Sequence, residues 1–217
     1  MLIKGILLKF LNKKKYKSNI DYWKQRAKLF GGTSVLNISH DKKEADRVTE
    51  KQIAEIFPIL SNDLESKQVE TILDYGCGIG RFSPRLSTTF NSKVIGVDPI
   101  KEFLDQAEQS PDVEYRLLEE MKIPLENNTV DVVWVCLVLG GIEDEYLAPT
   151  KKEILRVAKQ NASICLIENT SQGKNGKFWY LREQAFYQDL FQEFNLKEMG
   201  HYYDVGQRIS IFIGERS

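Results

Sequence analysis

Two carboxylates and three glycines set the chemistry open to this chain. Residues 74–81 read Asp74-Tyr75-Gly76-Cys77-Gly78-Ile79-Gly80-Arg81, and a second acid closes the run Lys93-Val94-Ile95-Gly96-Val97-Asp98. Glycine lacks Cβ, so a backbone can turn tightly there and come close to a ligand. A short β-forming run (Val69, Thr71, Ile72, Leu73) precedes the loop, and a helical pattern opens at about Gly80. Strand, glycine loop and helix make a nucleotide-type binding corner. A carboxylate about twenty residues on, as Asp98 is, can accept hydrogen bonds from both ribose hydroxyls.

The loop departs from the dinucleotide pattern G-x-G-x-x-G/A in having Arg81 at its sixth position. Asp74 beneath the loop is a second departure, since it would repel a pyrophosphate but suits a ligand bearing an ammonium group. S-adenosylmethionine (SAM) carries an ammonium, a carboxylate, a sulfonium, a ribose and an adenine, and no phosphate. The two departures favour SAM over a nicotinamide cofactor.

The elements that must position these groups alternate along the chain. Strands are predicted at 69–74, 93–98, 112–117, 130–137 and 162–168, with helices at 80–90, 100–109 and 143–159. This alternation predicts a parallel sheet with helices on both faces. A helix from Lys177 to about Phe194 follows. Then come two β-rich runs, 196–204 and 207–214, separated by Val205-Gly206, which read as a terminal hairpin. Upstream, residues 19–66 look helical, with a break at Phe30-Gly31-Gly32-Thr33.

Four segments in order resemble the class I SAM-dependent methyltransferase family: the 74–80 loop, Gly96-Val97-Asp98, Ile123 to Asp131 (IPLENNTVD), and Glu153 to Lys159 (EILRVAK). The resemblance covers about residues 69–168. It departs at Gln160-Asn161-Ala162, where the family usually has P-G-G. It implies an α/β, Rossmann-like doubly wound sheet of seven strands, mostly parallel, with an antiparallel C-terminal hairpin and an N-terminal helical lid. The expected organisation is a basic amphipathic helix (1–17), a helical lid or cap (18–66) and a SAM-binding methyltransferase domain (67–217).

The resemblance also implies a site. Asp74 faces the methionine ammonium, and Tyr75, Gly76, Cys77, Gly78 and Gly80 run under the ligand. Arg81 either pairs with the methionine carboxylate or is a solvent-exposed helix residue. Asp98 binds the ribose hydroxyls, with Pro99 and Ile100 beside ribose and adenine. Glu119 or Glu120 reads the adenine amino group, and Met121 packs on the ring. Cys136, Leu137 and Val138 end strand 4 beside the sulfonium. Tyr22-Trp23-x-x-Arg26, followed by Val35-Leu36-Asn37, resembles a bacterial branch of the family; Tyr22, Trp23 and Arg26 either close over the methionine end or pack the lid on the domain. S-adenosyl-L-homocysteine is the product.

The acceptor is less legible. A hydroxyl acceptor usually needs a base, whereas a neutral amine does not. His40, Glu143 and Glu168 are the candidate catalytic groups, and Gly140-Gly141 stands where many relatives carry histidines. Trp179, Tyr180, Arg182, Phe186 and Tyr187 either line an acceptor pocket or belong to the core. The leading expectation is methyl transfer to a small molecule or glycan at oxygen. The alternatives are N-methylation of a small amine or protein terminus, and a non-catalytic SAM-binding protein.

Bulk properties narrow the class. The chain has 217 residues, 30 Lys+Arg against 31 Asp+Glu, and a net charge of −1, so no global field points to nucleic acid. Three cysteines in apolar surroundings, with no metal-ligand spacing, read as reduced and buried. No apolar run reaches the roughly 20 residues that span a bilayer, and Lys4 and Lys9 break any signal-peptide pattern. The expected location is cytoplasmic. Leu2, Ile3, Ile6, Leu7, Phe10 and Leu11 recur at helical spacing among six lysines of 1–17. That segment reads either as a peripheral contact with an anionic membrane, at the inner face, or as a helix packed on the domain or a partner.

Overall fold

A computed structural model describes Tyr16, residues 18–36, His40 and residues 44–217. The amphipathic segment read in 1–17 lies outside the described residues except for Tyr16. Seven strands form one sheet: β1 (Thr71–Tyr75), β2 (Lys93–Asp98), β3 (Val113–Leu117), β4 (Val130–Cys136), β5 (Ala158–Asn169), β6 (Lys197–Asp204) and β7 (Gln207–Glu215). Their order is β3-β2-β1-β4-β5-β7-β6. The first five run parallel, and β7 pairs antiparallel with both β5 and β6. Strand order reverses between β1 and β4, and the crevice beyond their carboxyl ends is where ligands bind in such sheets.

Successive strand residues point to opposite faces, and both faces are covered. On β4, Val132 and Trp134 join one buried cluster while Val133 and Val135 join the other. The helices are α1 (Asn19–Phe30), α2 (Ala45–Leu64), α3 (Ser83–Phe90), α4 (Lys101–Leu104), α5 (Asp144–Val157) and α6 (Gln184–Leu190). The expected lid divides. Helix α2 presents Ile53, Ile56, Phe57 and Leu60 to Trp134 and its cluster, so it is a core layer. Each such side chain stabilises by about 1.5–3 kcal/mol on burial. Only α1 and the 3-10 turn Gly31–Val35 cover the strand ends.

Three predicted helices are shorter than their sequence patterns. The 80–90 helix begins at Ser83, with Pro84 in its first turn. The 100–109 helix stops at Leu104, where the Gln106 and Ala107 amides switch to the carbonyls three residues back, Phe103 and Leu104, and tighten the turn. The 177–194 helix starts only at Gln184, because residues 179–183 are drawn onto the turn after β4, where the Tyr180 amide and the Arg182 side chain bond backbone carbonyls. Strand β5 in turn begins four residues early, at Ala158, as a bulged pairing with Val130.

Candidate functional site

The glycine loop is built on the end of β2. The amides of Gly76 and Cys77 both donate to the Val97 carbonyl, at 2.8 and 3.1 Å. Gly76 has φ 71°, and a Cβ there would lie 2.5 Å from both methyls of Val138. Gly78 is approached from the other side: a Cβ on it would lie 2.8 Å from Cγ1 of Val35, in the turn that follows α1. The loop is thus flanked by the end of β4 and by the N-terminal cover. Cys77 is buried, which pushes its thiol well up, so it is no nucleophile.

Both carboxylates of the corner are enclosed. Asp98 is 6% exposed; its Oδ2 accepts from the Gly78 amide at 2.9 Å and its Oδ1 from the Ile100 amide at 2.8 Å. Asp74 accepts from the Ser83 hydroxyl at 2.6 Å. Burial pushes each up to about 7, against hydrogen bonds that favour the charged form. A carboxylate offers about four lone-pair directions, so Asp98 retains acceptor capacity for ribose hydroxyls.

Arg81 is neither in a helix nor in bulk solvent. Its guanidinium donates to Thr49 Oγ1 at 3.1 Å and Gln52 Oε1 at 2.9 Å on α2, and lies 4.8 Å from the Phe82 ring centroid. Burial lowers its pKa. Among the described residues no carboxylate forms an ion pair with it. A half-buried cation that Asp74 and Asp204 influence only through space keeps room for an anionic group such as the methionine carboxylate. With Asp98 and the glycine cradle, it makes the corner fit SAM.

Beyond β3, Glu119 and Glu120 are exposed, and Met121 is half-buried. Glu120 and Met121 have φ of 48° and 63°, forming a tight turn closed by the Lys122 amide on the Glu119 carbonyl. Pro99 and the buried Ile100 start the segment opposite; Ile100 packs with Ala27 of α1 and Phe103. The Leu118 amide bonds the Asp98 carbonyl at 3.0 Å, so both segments leave one end of the β2–β3 pair.

Of the two readings for Tyr22, Trp23 and Arg26, the contacts present are those of α1 packing on the domain. Arg26 is buried; it donates to the Ser34 and Leu36 carbonyls at 2.7 and 3.4 Å and to Tyr22 Oη at 3.1 Å. Its guanidinium lies 5.1 Å from the Trp23 ring. It therefore knits α1 to its own following turn. Tyr22 stacks on Phe178 with centroids 4.4 Å apart, and Trp23 faces Gly141. These contacts close α1 against the arm after β5. Val35, which reaches the loop, belongs to the Val35-Leu36-Asn37 run of that family-branch pattern.

The turn after β4 is held from every side. Cys136 ends the strand, partly buried and with its thiol pushed up by burial. Leu137 adopts φ 57°. Glu168 is fully buried, and its Oε1 accepts from the Val138 and Leu139 amides at 2.8 and 2.6 Å, with Gly140 N at 3.4 Å from Oε2. Burial raises it to about 7. Arg182 takes the carbonyls of Leu139 and Ile142 at 2.7 and 2.8 Å. The Tyr180 amide bonds the Gly140 carbonyl at 2.7 Å, and Asn19 Nδ2 the Gly141 carbonyl at 2.9 Å. Gly140 and Gly141 leave room for two indoles: a Cβ would meet Trp179 at 2.6 Å and Trp23 at 3.3 Å.

The three expected catalytic groups are not one constellation. Glu168 is a positioning residue, with its carboxylate committed to the turn. His40 Nε2 lies 2.7 Å from Asp204 Oδ1, clasping the N-terminal cover to the end of β6. Glu143 is the residue before α5. Of the aromatic run after β5, Trp179 and Tyr180 reach the turn, whereas Tyr187 is core. Among the described residues no three potential metal ligands gather.

Comparison with known proteins agrees with this geometry. An uncharacterized methyltransferase of Schizosaccharomyces pombe is 33% identical over 111 residues, 51% of this chain and 43% of that protein. The N-terminal Xaa-Pro-Lys N-methyltransferase 1 of Xenopus tropicalis is 33% identical over 106 residues, 46% of this chain and 47% of that protein. The match thus spans less than half the length of these curated relatives. A solved SAM-dependent methyltransferase of Leishmania major has the same fold, with TM-score 0.68 at 20% identity over 90% of this chain and 80% of that one. The model of the family described as AdoMet-dependent proline di-methyltransferase, AdoMet being SAM, matches residues 11–204, and the chain belongs to that family.

Proposed function

We propose that this chain is an N-methyltransferase that uses SAM to methylate an uncharged amine at a protein N-terminus. One observation carries the choice of nitrogen over oxygen. The wall of the post-β4 turn consists of glycines, indoles and an amide; Glu168 is committed to its backbone and Asp144 to Arg182, and Glu143 stands outside it at the start of α5. A hydroxyl would need a base there, and a neutral amine brings its own lone pair. The family description and the Xenopus relative's name point to the same acceptor class. The preference for a glycan or other hydroxyl drawn from sequence gives way to this reading.

Asp98, Asp74, the glycine loop and Arg81 would hold SAM, and bound SAM supplies an electrophilic methyl with a neutral leaving group. The chain then has to align the amine with that carbon and exclude water. Trp23 and Trp179 do the second job at the acceptor side. The amine nitrogen gains one bond to carbon and a positive charge, and releases a proton before a second transfer.

The test is label transfer from SAM to peptides beginning Ala-Pro-Lys, with N-acetylated copies and a hydroxyl-bearing sugar panel alongside. Incorporation into the free N-terminus, lost on acetylation, supports the reading. Label confined to the sugars overturns it in favour of oxygen. SAM binding without turnover on any acceptor leaves a non-catalytic SAM-binding protein.

A further inference from the structure

We infer that Asn19 is an acceptor-binding residue, its side-chain oxygen receiving an N–H of the amine to be methylated. This rests on the N-methyltransferase reading. Asn19 is the first residue of α1 and is 7% exposed. Its amide nitrogen donates to the Gly141 carbonyl. A carbonyl can be met only by the NH2 end of an amide, so that contact fixes which end is which. The oxygen is then left buried with no partner among the described residues. A buried acceptor without a donor is costly unless something fills it.

The place of this oxygen gives it meaning. Gly141 belongs to the turn that follows the strand end nearest the glycine loop, and Val138 of the same turn touches that loop. Trp23, one turn along α1 from Asn19, and Trp179 cover the two bare glycines. Asn19 is thus the uncharged polar group in a corner otherwise faced by glycine and indole. An amide oxygen suits this task better than a carboxylate would. A carboxylate beside the acceptor would stabilise the ammonium form and remove the lone pair that attacks. An amide orients the N–H with a much smaller bias toward protonation.

Charged groups lie around the corner: Glu168 and Arg182 behind the turn, Asp144 bonded to Arg182, Arg26 along α1, and Lys177 against Phe178. Glu168 titrates in wild type too, so the informative quantity is the change between variants. The experiment uses the full chain, SAM and an Ala-Pro-Lys peptide, with SAM affinity measured separately by calorimetry. Asn19→Ala is expected to lower kcat/KM about 2- to 10-fold for loss of one neutral hydrogen bond, with SAM affinity unchanged. Asn19→Asp is expected to move the acidic limb of the kcat/KM profile to higher pH by about one unit or more. A residue that only pins α1 would not move that limb. Unchanged kcat/KM in Asn19→Ala, an unmoved limb in Asn19→Asp, or SAM affinity falling in step with turnover overturns the assignment while the function stands. Wild type that methylates no amine overturns both.

Discussion

The two corners at the open edge of the sheet are built in opposite ways. The cofactor corner is a short contiguous stretch, residues 74–100, in which backbone does most of the work: loop amides bond the Val97 carbonyl and the Asp98 carboxylate. The acceptor corner is assembled from four distant segments, Asn19–Trp23, 138–142, Glu168 and 179–182, and side chains do the work. A backbone-built site demands particular residue types at particular spacings. A side-chain-built site demands only that the right groups arrive, and many sequences can deliver them.

That difference predicts how each corner breaks. Gly76→Ala should have the largest effect. The new methyl must adopt a left-handed conformation and sit 2.5 Å from a branched side chain that cannot swing clear. Left-handed strain and overpacking together cost about 2–5 kcal/mol. Urea unfolding should show the loss, and calorimetry should show SAM binding weakened or gone. Wild-type SAM affinity in this variant would mean that the loop does not run under the ligand.

Glu168→Ala should strike the other corner. It strands up to three backbone donors in a dry site, at about 3 kcal/mol of stability. On the proposed reading the turn positions the acceptor, so turnover should fall far more than SAM affinity. Equal losses in both would erase the division between the corners.

Asp98→Ala tests the cofactor corner alone. Loss of a charge-assisted acceptor is worth about 1.5–3 kcal/mol, or about 10- to 100-fold in affinity. The loss should be the same for SAM and S-adenosyl-L-homocysteine, which share the ribose. A variant that binds both like wild type would remove the ribose from β2.

The same contrast explains what the sequence made legible. The strands are visible because apolar runs end at turn residues, and β2 falls where its pattern puts it, Lys93–Asp98. The loop is visible because only glycine satisfies its backbone. Helix α2 reads as amphipathic either as lid or as core layer, and only packing against Trp134 decides. The segment 178–183 opens on three consecutive aromatics, Phe178, Trp179 and Tyr180, and its side chains serve tertiary contacts: Trp179 covers Gly140 and Arg182 binds the turn. Asn19 has no local signature, because its role depends on Gly141, which lies far along the chain. His40 was visible as a histidine, but its partner Asp204 is 164 residues away.

The smallest predicted effect separates the corners by protons. Asp74, Asp98 and Glu168 are each raised to about 7, chiefly by burial. An acid held above its unfolded value near 4 adds stability that is complete below about pH 4 and lost as pH rises through 7. All three therefore make the ligand-free protein less stable at pH 8 than at pH 5, and thermal unfolding should show it. Ligand binding divides them. Hydroxyls donating to Asp98, and an ammonium beside Asp74, favour the charged carboxylates, so SAM should displace protons near neutral pH. A single such group would raise SAM affinity roughly tenfold between pH 6 and pH 8. Calorimetry in buffers of different ionisation enthalpy counts the released protons. Asp98→Asn should remove the Asp98 share, about half of the release, whereas Glu168→Gln should leave it intact, because that carboxylate is committed to the turn. Release that survives Asp98→Asn in full and vanishes with Glu168→Gln would place the cofactor against the turn after β4 and reverse the roles of the two corners.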